Sequence, residues 1–129
     1  MPRITGAFDV KMLPLTPAEG APPFGRFALD KRYHGALDAT AKGEMIAAMT
    51  EVKGSAAYSA LEVVDGALDG RRGTFVLQHT GVMDRGAPSL RITVVPDSGT
   101  GELAGLAGTL EIVIEGGAHS YVFDYVLGG

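Results

Sequence analysis

Apolar and polar residues alternate with a period of two through nearly the whole chain, and glycines interrupt the pattern at short intervals. No other feature limits the possible folds as much. This period puts apolar side chains on one face of a strand, and it cannot build the apolar stripe of a helix. Eight strands are expected, over residues 5–12, 26–39, 43–52, 56–68, 73–83, 88–96, 107–115 and 119–127. Nineteen glycines in 129 residues, without a collagen period, supply the turns between them. Asp69-Gly70 and Gly116-Gly117 are hairpin signals, because a two-residue primed turn needs positive φ. Residues 41–50 come nearest to a helical period, but Gly43 and the flanking strands argue against a helix there. A short helical turn is allowed at 101–106.

Consecutive antiparallel strands leave two edges that must be protected. Closing eight of them into an up-and-down barrel removes both edges, and the interior then holds side chains or one small ligand. The expected fold is therefore all-β, an eight-stranded antiparallel up-and-down barrel forming a single domain over 1–129. A two-sheet sandwich is the alternative. The long connection at 13–25 carries four prolines. It is expected to be stiff and exposed at one barrel mouth, either as a lid or as a plain linker.

Composition removes several function classes. With no cysteine, disulfides, CxxC chemistry and thiolate metal sites are excluded, and a reducing cytoplasm is the expected location. The net charge is −4 with both signs interspersed, and no basic cluster exceeds Arg71-Arg72, so no nucleic-acid partner is expected. No apolar run approaches the roughly 18 residues of a membrane helix, so no membrane partner is expected either. The histidines (His34, His79 and His119) never fall at HxH or HExxH spacing, which implies no metal and no cofactor. The run from Gly99 to Gly105 resembles a dinucleotide loop but lacks the βαβ context that gives such a loop meaning. No serine sits in a G-x-S-x-G elbow.

Candidate site residues come from strand faces that mix polar and apolar groups. In GTFVLQHTG (73–81), Phe75, Leu77 and His79 share one face, expected to point inward, while Gln78 points outward, toward solvent or a subunit partner; the opposite assignment, with Gln78 inside, is the alternative. A buried imidazole beside a carboxylate can act as acid or base near neutral pH; a histidine satisfied by a carbonyl or a tyrosine is purely structural. Glu44 shares a face with Ile46 and Ala48, and Glu62 shares one with Tyr58, Ala60 and Val64. A glutamate on an apolar face needs a partner or a wet cavity, and small neighbours leave room for one. Glu44, Tyr58, Glu62 and His79 are thus candidate ligand-binding residues, with both glutamates lying outside as the alternative. Tyr121 joins them from the aromatic face His119, Tyr121, Phe123 and Tyr125, which suits a ligand wall, a subunit interface or ordinary packing. No catalytic residue is assigned. Apolar residues on both faces of 45–49 and 110–114 point to a covered outer wall, and hence to a homo-oligomer.

The runs GALDGRRGTFVLQHTGVMD (66–84), VVPDSGTGELAGLAG (94–108) and GGAHSYVFDYVL (116–127), with YHGALDATAKGEMI (33–46), resemble a bacterial family of small proteins, DUF3224. The resemblance runs from about residue 5 to the end of the chain, while 11–27 matches nothing recognisable. It implies an eight-stranded antiparallel barrel of the allene oxide cyclase type, without implying cyclase activity, since fold does not carry function. Two functions remain in competition. One is a barrel that binds a small apolar molecule in its interior, with isomerase or cyclase chemistry as an extension. The other is a packed structural barrel acting through its oligomeric surface. Catalysis demands more aligned groups than binding does, so whether the protein is an enzyme stays open.

Overall fold

The computed structural model describes residues 2–128; Met1 and Gly129, the ends of the expected domain, lie outside the described residues. Eight strands follow one another: β1 (Arg3–Pro14), β2 (Gly25–Tyr33), β3 (Leu37–Met49), β4 (Ala56–Leu68), β5 (Arg71–Asp84), β6 (Ala87–Val94), β7 (Leu106–Glu115) and β8 (Ala118–Leu127). One 3-10 turn, Gly101–Leu103, precedes β7. Every strand pairs antiparallel with the next, and β1 pairs with β8, which closes the barrel. No described helix is long and apolar enough to cross a membrane.

The hairpins at 69–70 and 116–117 form as expected, with positive φ at Asp69, Gly70, Gly116 and Gly117. The boundary between β2 and β3 differs from expectation. The sequence pattern suggests one strand over 26–39 and another over 43–52, whereas β2 ends at Tyr33 and β3 begins at Leu37 and runs unbroken through 40–42. Three residues turn the chain, with Gly35 at φ 104°. A three-residue connection preserves parity, so Leu29, Lys31 and Tyr33 point the same way as Leu37, Ala39 and Ala41, and the alternation runs on through the turn. Gly43 lies within β3 because β4 crosses very close to it. A Cβ there would sit 2.0 Å from the Leu61 carbonyl oxygen and 2.7 Å from Glu62 Cα.

The two ends of the barrel differ. At one end Leu37, Leu68, Phe75, Leu103, Leu106, Phe123 and Tyr125 pack into a sealed plug. Phe75 stacks on Phe123 with ring centroids 6.0 Å apart. At the other end the inward side chains thin out, and Met12, Met49, Met83 and Ile114 are exposed. The proline-rich segment 15–24 joins β1 to β2 at this open end. The register between β6 and β7 is short, holding Ile92 against Leu110 and Thr93 against Thr109. Toward the open end that seam is continued by side chains, with Leu90, Ile112 and Ile114 around one hollow.

Candidate functional site

The open end leads into a cavity of about 340 Å³. Its wall is mostly apolar, formed by Phe8, Val10, Leu29, Met45, Ala60, Leu90 and Ile112, and its polar members include Lys31, Tyr58, His79 and His119. A second hollow of about 310 Å³ adjoins it through the shared residues Met45, Tyr58 and Leu90, and Met49, Met83 and Pro88 flare it outward. Met12, Met45, Met49 and Met83 therefore all line this entrance.

The floor of the cavity is a cluster of buried polar groups. Glu62, Lys31 and His79 are 1%, 6% and 3% exposed. Lys31 Nζ donates to Glu62 Oε2 at 2.7 Å. His79 Nε2 lies 2.7 Å from the same oxygen, and the Tyr33 hydroxyl donates to Oε1. The register explains how side chains from separate strands converge. Lys31 on β2 faces Ala41 on β3, and Gly43 on β3 faces Glu62 on β4. With nothing larger than a methyl group on the intervening strand, Lys31 reaches across it to Glu62. His79 pairs with Ala60, one inward position along from Glu62, and closes the triangle from β5.

Burial on its own would raise the Glu62 pKa. The His79 hydrogen bond and the Lys31 charge outweigh it and lower the carboxyl from 4.5 to about 2. Glu62 is therefore an anion, and an anion can only accept, so His79 Nε2 carries the proton between them. Burial first, and then the Glu62 charge, push the Tyr33 phenol far above its ordinary range, so it remains a donor. The same causes raise Tyr58. Lys31 Nζ sits 5.5 Å from the Phe8 ring centroid and 5.9 Å from that of Tyr33, and the ring faces add to its stabilisation. A buried carboxylate is tolerable only when its oxygens find partners, and both oxygens of Glu62 do.

The sequence-derived candidates separate into three positions. Glu62 and His79 meet in the cluster, and Tyr58 forms the cavity wall beside them. Glu44 is not part of it. On β3 the inward positions are Ala41, Gly43, Met45 and Ala47, so Glu44 lies outside, exposed and paired with Arg26 at 2.6 Å. Tyr121 points inward but lies below the cavity, toward the plug. Its hydroxyl donates to the His34 carbonyl at 2.7 Å and accepts the Leu37 amide at 3.2 Å, pinning the β2–β3 turn. Gln78 faces outward, as its parity requires. Sequence reasoning missed Lys31 and Tyr33. Their signal was present in β2, where Ala28, Asp30 and Arg32 form one face and leave Leu29, Lys31 and Tyr33 on the other. Among the described residues, no group of three or more His, Asp or Glu side chains is placed to hold a metal ion.

These features define a closed antiparallel β-barrel, plugged at one end and open at the other above an ion-paired floor. The chain belongs to the DUF3224 family, described as a protein of unknown function, whose family model matches residues 4–125. It is similar to a protein of unknown function from that family in Shewanella oneidensis MR-1, known from a crystal structure. The two are 51% identical over 100% of this chain and 98% of the other, with a TM-score of 0.93. No curated protein matches the chain.

Proposed function

We propose that the barrel binds a small, largely apolar molecule in its open half. One observation carries this reading: an apolar cavity of about 340 Å³ ends on Lys31 and His79, which are held in place from behind by Glu62. An apolar wall with a few fixed polar groups at its base is the usual composition of a ligand site, and this volume lies in the range of small-molecule pockets. A barrel needed only as a solid support would gain stability from filling the space. The cysteine-free composition suits a reducing cytoplasm, where we place the protein. His79 is oriented through Nε2 and faces the cavity, so an isomerase-type proton transfer is an extension of this reading.

The test is a titration with N-phenyl-1-naphthylamine, a neutral apolar dye, alongside native mass spectrometry of the protein purified from its own host. Saturable one-to-one binding is expected, and it should be lost in Ala60→Phe, which fills the base of the cavity. Absence of saturable binding in the wild-type protein would overturn the reading.

A second observation favours self-association. Ile46, Leu61, Val63 and Val76 make an apolar stripe on the outer face of β3–β5, bordered by Lys42, Glu44 and Gln78. Leu61 and Val63 are each about half exposed. The charges of Lys42 and Glu44 are opposite, so two copies related by a two-fold axis set each against the other's. We take the second copy as the occupant of this face. Sedimentation should give a dimer that Val63→Glu dissociates, and a monomeric wild-type protein would overturn this.

A further inference from the structure

We propose that the occupant of the cavity is an amphipathic weak acid, an apolar body ending in one ionisable oxygen held by Lys31 Nζ and His79 Nδ1. This rests on the reading that the cavity takes a small apolar molecule, and it specifies which chemistry that molecule carries.

The cluster leaves some of its hydrogen-bonding capacity unused. Both oxygens of Glu62 are occupied, by Tyr33 on one side and by Lys31 and His79 on the other, and the carboxylate stands behind the cavity wall. Lys31 has three N–H donors and gives one to Glu62, so two remain at the floor. His79 uses Nε2 on Glu62, and no described residue bonds Nδ1. No buried polar side-chain atom among the described residues is left without a partner, so Nδ1 opens onto the cavity that His79 lines.

Three kinds of ligand can be weighed against this floor. A pure hydrocarbon would strip water from the Lys31 donors and from Nδ1 and give nothing in return. A ketone or an ester would satisfy Lys31 and leave Nδ1 facing a lone pair. An oxygen acid satisfies both. Its lone pairs accept from Lys31, and a single proton lies between its oxygen and Nδ1. If the imidazole is neutral, the acid arrives with that proton on oxygen; if it is an imidazolium, the anion arrives and the proton is already on Nδ1. The two routes give a complex of identical composition, with one proton and one anionic oxygen added to a neutral His79. Lys31 and Glu62 already cancel, so the loaded site is neutral overall, as a low-dielectric pocket requires. The groups facing His79 are Glu62 and Tyr58 from β4, Lys31 and Tyr33 from β2 and His119 from β8, while β6 offers only Leu90 and Ile92.

A carboxylic acid and a phenol or enol share this chemistry. Octanoate and 4-butylphenol are therefore compared as displacers of N-phenyl-1-naphthylamine, with methyl octanoate and 4-butylanisole as partners lacking the acidic proton. At least one acid is expected to bind tenfold or more tightly than its blocked partner, and which acid prevails identifies the class. If octanoate is the preferred acid, its affinity should fall as pH rises from 6 to 9.5, because the complex keeps a proton that the free carboxylate lacks, and His79→Gln should flatten that dependence; 4-butylphenol carries its own proton up to about pH 10, so its affinity should fall only above that. Lys31→Met combined with Glu62→Gln and His79→Gln removes both groups that hold the oxygen and leaves no uncompensated charge; the free and the blocked acid should then bind with equal affinity. If the dye binds but blocked and free acids compete equally, the weak-acid proposal fails and the cavity reading stands. A preferred octanoate whose affinity does not change over this window, or a preference for acid that survives in the triple variant, overturns it likewise. If the dye does not bind at all, both readings fail together.

Discussion

The ion-paired floor makes a quantitative prediction about acid stability. A carboxyl that is more acidic folded than unfolded stabilises the fold above its unfolded value, and that contribution disappears as pH falls through the folded value. For Glu62 these values are 4.5 and about 2. The difference corresponds to about 3 kcal/mol, present in full above pH 5 and lost by pH 2. That is a large share of the roughly 5–15 kcal/mol that keeps an ordinary domain folded. The reference protein is Lys31→Met/Glu62→Gln/His79→Gln, which has no titrating side chain at these three positions and keeps an acceptor for Tyr33. Exposed carboxylates such as Asp38 and Asp124 are common to both proteins, so their effects cancel in the comparison. Urea unfolding is measured for both from pH 5 down to pH 2. The wild-type protein should lose about 3 kcal/mol more than the triple variant across that window. Parallel stability curves would mean that Glu62 gains nothing from Lys31 and His79.

Two further predictions concern β3. Gly43→Ala puts a Cβ where the Leu61 carbonyl oxygen lies 2.0 Å away, so β4 must shift. The expected cost is about 2 kcal/mol or more, seen as a lowered thermal midpoint, and an unchanged midpoint would show that the close approach is not required. Within one barrel Glu44→Ala removes only an exposed pair with Arg26, and at concentrations where the protein is monomeric it should change unfolding free energy by less than about 0.5 kcal/mol. Dye affinity should be unchanged in the same variant, and a loss would contradict the outward placement of Glu44.

The barrel was legible because parity is a local property. Within each strand, alternation assigns every side chain to one of two faces, and Phe75, Leu77 and His79 lie inside with Gln78 outside on that basis alone. Parity also aligned Tyr58, Ala60 and Glu62 on one face. The assignment of Glu44 failed because both sides of 45–49 are apolar and a strand that begins at Gly43 leaves the two faces undecided; followed back to Leu37, the face of Glu44 carries Asp38, Thr40 and Lys42 and is the outer one. Lys31 was missed for a different reason. A lysine is rarely buried without a partner, and its partner lies 31 residues further on, across a strand whose small side chains allow the contact. Alternation gives the face of each residue but not the register between strands, and the cluster depends on register. The β2–β3 turn escaped because its three residues leave the parity intact on either side.

The entrance has a chemical consequence of its own. Met12, Met45, Met49 and Met83 are four of the five methionines in the chain, and all of them stand at the way in. Met49 is 83% exposed, so a peroxide reaches its thioether first. Each sulfur oxidised becomes a polar, chiral sulfoxide, and an apolar gateway turns into a hydrated one while the strands beneath keep their pairing. The change falls first on Met49 at the rim and is reversible by sulfoxide reductases, so, on the reading that the cavity takes an apolar molecule, oxidation would weaken that binding.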